Sequence, residues 1–277
     1  MSKGLLDPKV DFVFKNIFGS PNHPEILISF LNATLKAKKK IVNVDIKKTE
    51  IEKQYIEDKY SRLDVKATTS NDEIINIEIQ LKNENNMVKR SLYYLSKMYE
   101  EQLNEKEDYS KLVRTVCINI LNFKYLKTDN FHTGYRFKEI ESNEELTDIM
   151  EVHFIEIPKL QDSSDEKDML VAWTEFLKDP ESEKVRGLEL SIEEIRQAKD
   201  ELIRMSNDST QRELYDMRAN SLRDKMSELN AAERKGIEKG REEGRKEEKI
   251  KIARNMKLSG LDTNTIAKVT NLSEDEI

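Results

Sequence analysis

The feature that most constrains this chain is a pair of alternating segments separated by a turn. In the first segment, Leu63, Val65 and Ala67 alternate with charged residues. In the second, apolar residues occupy every other position over residues 75–81. Residues 70–72 (Ser-Asn-Asp) lie between them and are typical of a tight turn. Because a side-chain period of two is that of a β-strand, the pattern predicts two antiparallel strands with one apolar face.

The other face of this predicted hairpin carries oxygen-bearing side chains. Asp64 lies on the first strand, and Glu78 and Gln80 lie two residues apart on the second. Two carboxylates with no His or Cys nearby form a hard oxygen site, which suits Mg²⁺ or Mn²⁺ and the phosphates that these ions bind. The alternative is that this face is the ordinary solvent-exposed side of an amphipathic hairpin.

The remaining patterns predict an α/β core followed by helices. Asp7-Pro8 is typical of a helix start. The spacing of apolar residues predicts further helices at 23–35 and 87–104, and strands at 42–46, 112–121, 135–140 and 152–157. Strand patterns disappear after about residue 165. The order favours a mixed α/β fold with an all-helical C-terminal appendage. We expect a core at 1–160, a helical region at 161–230, and a charged helical linker with a small helical cap at 231–277.

Composition excludes several classes of protein. No apolar run approaches the roughly 18 residues of a membrane helix, and the N-terminus has no run of the signal-peptide type, so we expect a cytoplasmic protein without a membrane partner. The single cysteine, Cys117, excludes a disulfide scaffold. The net charge of -7 ordinarily counts against a nucleic-acid partner. The charge is uneven, however: residues 1–53 carry 10 Lys and Arg against 6 Asp and Glu, whereas residues 54–230 carry 26 against 38.

Several short segments together resemble a known family of nucleases. The segments Tyr60–Val65 and Ile77–Gln80 are similar to the D…E-x-Q signature of the PD-(D/E)XK nuclease superfamily. The chain most closely resembles the Rpn family of recombination-promoting nucleases, also described as transposases. Leu6–Gly19, Arg90–Tyr94 and Ala253–Ser273 are similar to other parts of that family. The resemblance implies a restriction-endonuclease-like fold, a mixed sheet flanked by helices, and a metal-dependent endonuclease that acts on DNA.

The resemblance also implies roles for individual residues. Asp64 and Glu78 would be the ligands of Mg²⁺ or Mn²⁺. Gln80 stands where the superfamily usually has a lysine, and a glutamine can orient a water but supplies no positive charge. Lys82 is the first candidate to replace that charge and Lys66 a weaker one. Both are equally consistent with ordinary solvated strand lysines.

The first helix and the basic residues supply further candidates. In the superfamily an acidic residue on this helix often completes the site, and Asp11 is the matching residue. Lys15 lies one helical turn away, so a surface ion pair between the two is the alternative. As contacts to nucleic acid we expect Lys15, Arg62, Lys66 and Arg90, of which Arg90 follows the motif closely.

The C-terminal region has two unusual patterns. Gly236, Gly240 and Gly244 recur every four residues, which fits either a close helix pairing or a tolerated charged linker, and we favour the linker. Residues 261–277 resemble the first part of a helix-turn-helix. Because Glu274–Glu276 would repel phosphate, we expect a helical cap or a homo-oligomer contact there rather than a DNA-reading element.

Two functional hypotheses follow. The first is a Mg²⁺-dependent DNA endonuclease that hydrolyses backbone phosphodiesters, with a role in recombination or in the handling of foreign DNA. The second is a catalytically weak or inactive nuclease-fold protein that acts as a nucleic-acid-binding or protein-interaction module. Gln80 is the residue that keeps the second hypothesis open.

Overall fold

The computed structural model describes residues 4–36, 39–47, 65–165 and 167–277, and a mixed β-sheet lies at its centre. The strands are β1 (Val44–Lys47), β2 (Val65–Thr69), β3 (Ile74–Gln80), β4 (Thr115–Leu121), β5 (His132–Lys138) and β6 (Glu145–Glu156). In the described chain they are ordered β1-β2-β3-β4-β6-β5. β1, β2 and β3 pair antiparallel, β3, β4 and β6 pair parallel, and β5 is antiparallel to β6. The predicted mixed sheet is confirmed.

The hairpin predicted from the alternation is β2 and β3. Val65 lies opposite Ile77, and Ala67 lies opposite Ile75, so the apolar residues of both strands share a face. Asp72 in the connecting turn has a φ of 62°, a left-handed conformation that Asp tolerates better than most residues. The turn chemistry of the sequence therefore fixes the register of the two strands.

Helices cover the sheet and form the C-terminal part of the chain. They are α1 (Asp11–Phe18), α2 (Pro24–Leu35), α3 (Met87–Glu100), α4 (Met169–Lys178), α5 (Glu183–Glu189), α6 (Glu193–Asn207), α7 (Ser209–Leu258) and α8 (Thr263–Thr270). The prediction that a helix starts at Asp7-Pro8 is wrong. Asp7 instead accepts hydrogen bonds within a turn, from the backbone N–H of Lys9 at 2.9 Å and of Val10 at 3.1 Å, and the helix begins at Asp11.

The chain divides into two units, Met1–Ala219 and Asn220–Ile277. In the first unit, the helices that follow the sheet join the same core as the helices that precede it. The Trp173 ring on α4 is fully buried, with its centroid 5.3 Å from that of Phe18 on α1. Its indole N–H donates to Ser29 Oγ on α2 at 3.2 Å. The domain boundaries expected at residues 160 and 230 stay predictions.

The second unit has a small core of its own. Ala253 on α7, Ile266 on α8 and Leu272 are buried against one another. Asp262 accepts a hydrogen bond from the Thr265 backbone N–H at 3.0 Å and so caps α8. Asn271 ends α8 with a φ of 57°, a left-handed conformation that asparagine tolerates at the end of a helix.

The three regularly spaced glycines lie inside α7. No heavy atom of the described residues lies within 4 Å of a Cβ built at Gly236, Gly240 or Gly244, apart from the helix's own nearby backbone and the flanking residues. Close helix pairing on these glycines is therefore not seen in the described chain. The interpretation as a charged helical linker stays a prediction.

A cluster of ionisable side chains joins β5 to β6. His132 Nε2 lies 2.9 Å from His153 Nδ1, and His153 Nε2 lies 2.7 Å from Glu151 Oε1. Arg114 and Arg136 also pair with the Glu151 carboxylate. Burial would raise the pKa of Glu151, but hydrogen bonds from His153 and Arg114 outweigh that effect and hold its pKa at about 2. Burial, with the nearby charge of His153, lowers the pKa of His132 to about 4.

Replacing Trp173 with alanine tests whether α4 belongs to the core of the first unit. We expect Trp173→Ala to lower the free energy of unfolding by about 3–5 kcal/mol, because it empties a large buried volume and removes the bond to Ser29. Urea unfolding followed by far-UV circular dichroism measures the change. Tyr109→Ala, at a side chain that is 82% exposed, is the control and should stay within about 0.5 kcal/mol of the parent. Equal effects of both variants would contradict the packing.

The His132 pKa predicts a pH dependence of stability. In the unfolded chain a histidine titrates near 6.5, so between about pH 4 and 6.5 the unfolded state binds more protons than the folded state. The free energy of unfolding should therefore rise with pH across this window and fall as the pH drops through it. Urea midpoints at pH 4.5, 5.5 and 7 measure the slope. His132→Asn should flatten it, whereas His23→Asn, at a half-exposed histidine, should not. An unchanged slope in His132→Asn would refute this origin.

Candidate active site

The polar face of the hairpin is buried. Glu78 is 1% exposed and Asn76 is 0% exposed, although both lie on the face opposite Ile75, Ile77 and Ile79. The reason is that α3 packs over this side of the sheet, with Met87 and Leu95 in one apolar cluster with residues of β4 and β6. The interpretation of this face as the solvent-exposed side of an amphipathic hairpin is therefore wrong for Glu78 and Asn76.

The side chain of Arg90 reaches the same position from α3. Its Nε lies 3.3 Å from Glu78 Oε2. With the Gln80 amide oriented so that its oxygen faces the guanidinium, that oxygen accepts from both Nη1 and Nη2 of Arg90 at 3.0 Å. The guanidinium carbon also lies 5.4 Å from the centre of the Tyr94 ring, in the range of a cation–π contact. The structure thus brings Glu78, Gln80 and Arg90 together.

Packing of α3 on the sheet determines where Arg90 lies. The residues of α3 that are buried recur at helical spacing: Met87, Ser91, Tyr94, Leu95 and Met98. Ser91, the neighbour of Arg90 in the chain, donates from its hydroxyl to Asn119 Oδ1 on β4 at 2.8 Å. The Asn119 amide N–H in turn donates to the His153 carbonyl on β6 at 3.1 Å. This chain of polar contacts holds the first turns of α3 over the end of β3.

Cys117 lies beside this site, and its thiol is buried. It pairs with Asn76 across the parallel β3–β4 ladder, and the Asn76 amide nitrogen lies 3.9 Å from its sulfur. Burial and the nearby negative charge of Glu78 raise the pKa of the Cys117 thiol to about 12. The thiol therefore stays protonated and is neither a nucleophile nor a metal ligand at neutral pH.

Lys66 lies on the same face of the sheet, further along the strands. It pairs with Asn76, whose Cα is two residues and so about 7 Å from that of Glu78. Its Nζ lies 3.7 Å from Glu101 Oε2 at the end of α3, and its side chain is 27% exposed. Lys66 therefore lies on the same face of the sheet as Glu78, as the sequence predicts. It lies opposite Asn76, two residues before Glu78 on β3, and so beside the contact between Glu78 and Arg90.

Asp11 and Lys15 have surroundings that the sequence did not predict. Asp11 is the first residue of α1, and one of its carboxylate oxygens accepts from the backbone N–H of Phe12 at 2.7 Å. The other lies 2.8 Å from Arg218 Nη1 on α7. The ion pair of Asp11 is therefore with Arg218 and not with Lys15. A catalytic role for Asp11 and a DNA contact by Lys15 stay predictions.

The three remaining candidates are Asp64, Arg62 and Lys82. Asp64 and Arg62 fall outside the described residues. β3 ends at Gln80, so the strand period that would place Lys82 on the site face does not extend to it. In the part of the chain that the structure describes, no group of three or more His, Cys, Asp or Glu side chains is placed to hold a metal ion.

The sequence analysis missed the polar contacts that support the site. Asn119 lies between two isoleucines in strand β4, all of whose residues are buried. A buried amide is stable only when it is hydrogen-bonded. An asparagine within such a buried strand therefore indicates a network of side-chain hydrogen bonds. Ser91 gave no comparable signal, because a serine in a helix is ordinary.

Within the described ranges, no helix combines the length and the apolar character that crossing a membrane requires. This agrees with the absence of a long apolar run in the sequence.

Comparisons with known proteins identify the family. Residues 8–232, more than half of the chain, match the model of the PD-(D/E)XK nuclease family transposases. Residues 246–277 match that of the C-terminal HTH domain of the Rpn/YhgA-like nuclease family. Comparison with curated proteins and with solved structures gave no significant match. Both matches agree with the buried Glu78 carboxylate on the β2–β3 hairpin. The chain is therefore a member of the PD-(D/E)XK nuclease family transposases, of the Rpn/YhgA-like type.

Proposed function

We propose that this protein is a Mg²⁺-dependent endonuclease that hydrolyses DNA backbone phosphodiesters. The observation that carries the proposal is Glu78, a carboxylate that is 1% exposed and has an arginine beside it. Taking such a group out of water is costly, and a hydrophobic residue of similar size often packs as well or better. Buried ionisable groups of this kind are common at functional sites. The family to which the chain belongs is a nuclease family.

Asp64 and Glu78 are the proposed ligands of the metal. Val65 pairs with Ile77 at the last described pair of the β2–β3 ladder. The alternation in the sequence predicts that Asp64 and Glu78 lie side by side on neighbouring strands of the hairpin. Two carboxylates in that arrangement can share one ion at oxygen–metal distances of about 2.1 Å. When bound, Mg²⁺ or Mn²⁺ supplies charge stabilisation at the phosphate and lowers the pKa of a bound water.

The neighbouring side chains position the reactants. Gln80 directs its amide oxygen to Arg90, which leaves its NH₂ group to donate a hydrogen bond to a water or a phosphate. Arg62, Lys66 and Arg90 are the proposed phosphate contacts close to the site, and Lys15 is a more distant one. These contacts act together with the surplus of basic residues in residues 1–53.

The wider role rests on the family alone. Because the matched family is described as transposases, we propose a function in recombination or in the handling of foreign DNA. A homo-oligomer through the C-terminal helices, a segment at 261–277 that does not read DNA, and a cytoplasmic location all stay predictions.

A second candidate function is favoured by one residue. Gln80 lacks the positive charge that the superfamily usually has at this position. A protein with a slow or absent hydrolytic step would act by binding nucleic acid or a protein partner. The same site residues would then serve for binding only.

Plasmid nicking distinguishes these two functions. We expect the parent to nick supercoiled DNA with Mg²⁺ or Mn²⁺ and to lose this activity in EDTA. Asp64→Ala and Glu78→Gln should each lower the nicking rate by about 100-fold or more, because each removes a ligand of the metal. Glu141→Ala removes an exposed carboxylate far from the motif in sequence and should nick like the parent.

Two results would count against the endonuclease. Nicking that is equal in the parent, Asp64→Ala and Glu78→Gln would remove the proposed site. No nicking by the parent with any divalent ion, combined with retained DNA binding in a gel-shift assay, would favour the binding module.

A further inference from the structure

Among the described contacts, the cation nearest to the Glu78 carboxylate is Arg90, and the two residues belong to different secondary-structure elements. Arg90 lies on α3, whereas Glu78 and Gln80 lie on β3. Its side chain is 23% exposed, and the Glu78 side chain is 1% exposed. The Arg90 side chain is therefore more accessible to solvent than the carboxylate that it meets.

The hydrogen-bond geometry leaves the guanidinium able to do more than pair with Glu78. A guanidinium has five N–H donors, one on Nε and two on each Nη. Nε faces Glu78, and Nη1 and Nη2 each use one N–H toward the Gln80 oxygen. Each Nη carries a second N–H that points away from Gln80 and can donate to a phosphate oxygen.

Glutamine suits position 80 because of this arginine. A lysine at position 80 would bring a second positive charge close to the guanidinium, and like charges at short range repel. The neutral amide oxygen of Gln80 instead attracts both Nη groups and fixes their direction. The lack of a charge at position 80 and the presence of Arg90 are therefore two parts of one arrangement.

We propose that Arg90 supplies the positive charge that position 80 lacks, with Gln80 as the residue that positions it. Arg90 then stabilises the negative charge that develops on the attacked phosphate, beyond any general contact to DNA. Before metal binds, the same guanidinium balances the charge of Glu78, so Arg90 and the metal share this carboxylate. The inference rests on the proposed endonuclease function. It identifies Arg90 as the source of the positive charge that is missing at position 80.

A charge swap tests the catalytic part. Arg90→Gln should lower kcat for nicking by about 100-fold and change KM little. This is the usual cost of removing one hydrogen-bond donor to the charge that develops in the transition state. A mere groove contact would raise KM and leave kcat unchanged. The double variant Gln80→Lys/Arg90→Gln returns a cation to the site. Its kcat should be about tenfold or more above that of Arg90→Gln. Arg136→Gln is the matched control, because Arg136 Nε also meets a buried carboxylate, that of Glu151 at 3.1 Å.

Metal binding without DNA gives an independent measurement. Mn²⁺ titration, followed by electron paramagnetic resonance of the free ion, reports affinity whether or not the protein cleaves DNA. Arg90→Gln should bind Mn²⁺ about 3- to 10-fold more tightly than the parent. The substitution removes a positive charge that competes with the ion for Glu78 in a largely desolvated site. Arg136→Gln should bind Mn²⁺ like the parent.

Folding of the variants is checked by circular dichroism, since Arg90→Gln removes a partner of a buried carboxylate. If that variant does not fold, Arg90→Lys carries the test. It keeps the charge but loses the two-pronged contact to Gln80, so it should bind Mn²⁺ like the parent and show a kcat about tenfold lower. A kcat equal to that of the parent in Arg90→Lys would then overturn the role of Gln80.

The possible failures are distinguishable. Nicking by the parent that Glu78→Gln does not affect defeats the proposed function. Nicking that depends on Glu78, but is equally fast in Arg90→Gln and Arg136→Gln, defeats the inference alone. An Mn²⁺ affinity that does not rise in Arg90→Gln shows that Arg90 and the metal do not share Glu78. Absence of nicking in the parent overturns the catalytic role of Arg90 together with the proposed function.

Discussion

The arrangement of this site depends on one interaction, the contact of a buried carboxylate with an arginine from the covering helix. Glu78 lies in the middle of the sheet and is almost fully removed from water. A charge in that position is destabilising unless opposite charge or hydrogen bonds lie beside it. Arg90 supplies the charge, and the oxygen of Gln80 accepts from the same guanidinium. The three side chains couple the end of β3 to the first turn of α3.

Hydrogen bonds deeper in the sheet keep that contact in place. Ser91 donates to Asn119, and Asn119 donates to the backbone of β6, so polar contacts link α3, β4 and β6. Beside them, burial and the charge of Glu78 keep the Cys117 thiol protonated. A polar strip thus runs across the buried face of three parallel strands. Polar networks of this kind orient neighbouring groups when their members are satisfied, and here the oriented group is Arg90.

Much of the fold could be predicted because local patterns specify it. The alternation around the turn at residues 70–72 predicted the β2–β3 hairpin, and helical spacing predicted α2 and α3 to within a few residues. The start of α1 was wrong, because Asp7 hydrogen-bonds within a turn and its backbone does not continue into the helix. The pairing of His132 with His153 was also not visible, since strand order brings together residues that are far apart in sequence.

The sequence by itself determined the family, the hairpin and the carboxylate on it, because short motifs and a period of two are local properties of the chain. Only the tertiary structure decided that Glu78 is buried and that Arg90 is its neighbour. Alternation separates two faces of a strand but does not say what covers each face. That depends on the crossover through α3, which returns over the polar side of β3 before entering β4. The glutamine that left the source of positive charge open in the sequence thereby acquires an arginine partner from another element.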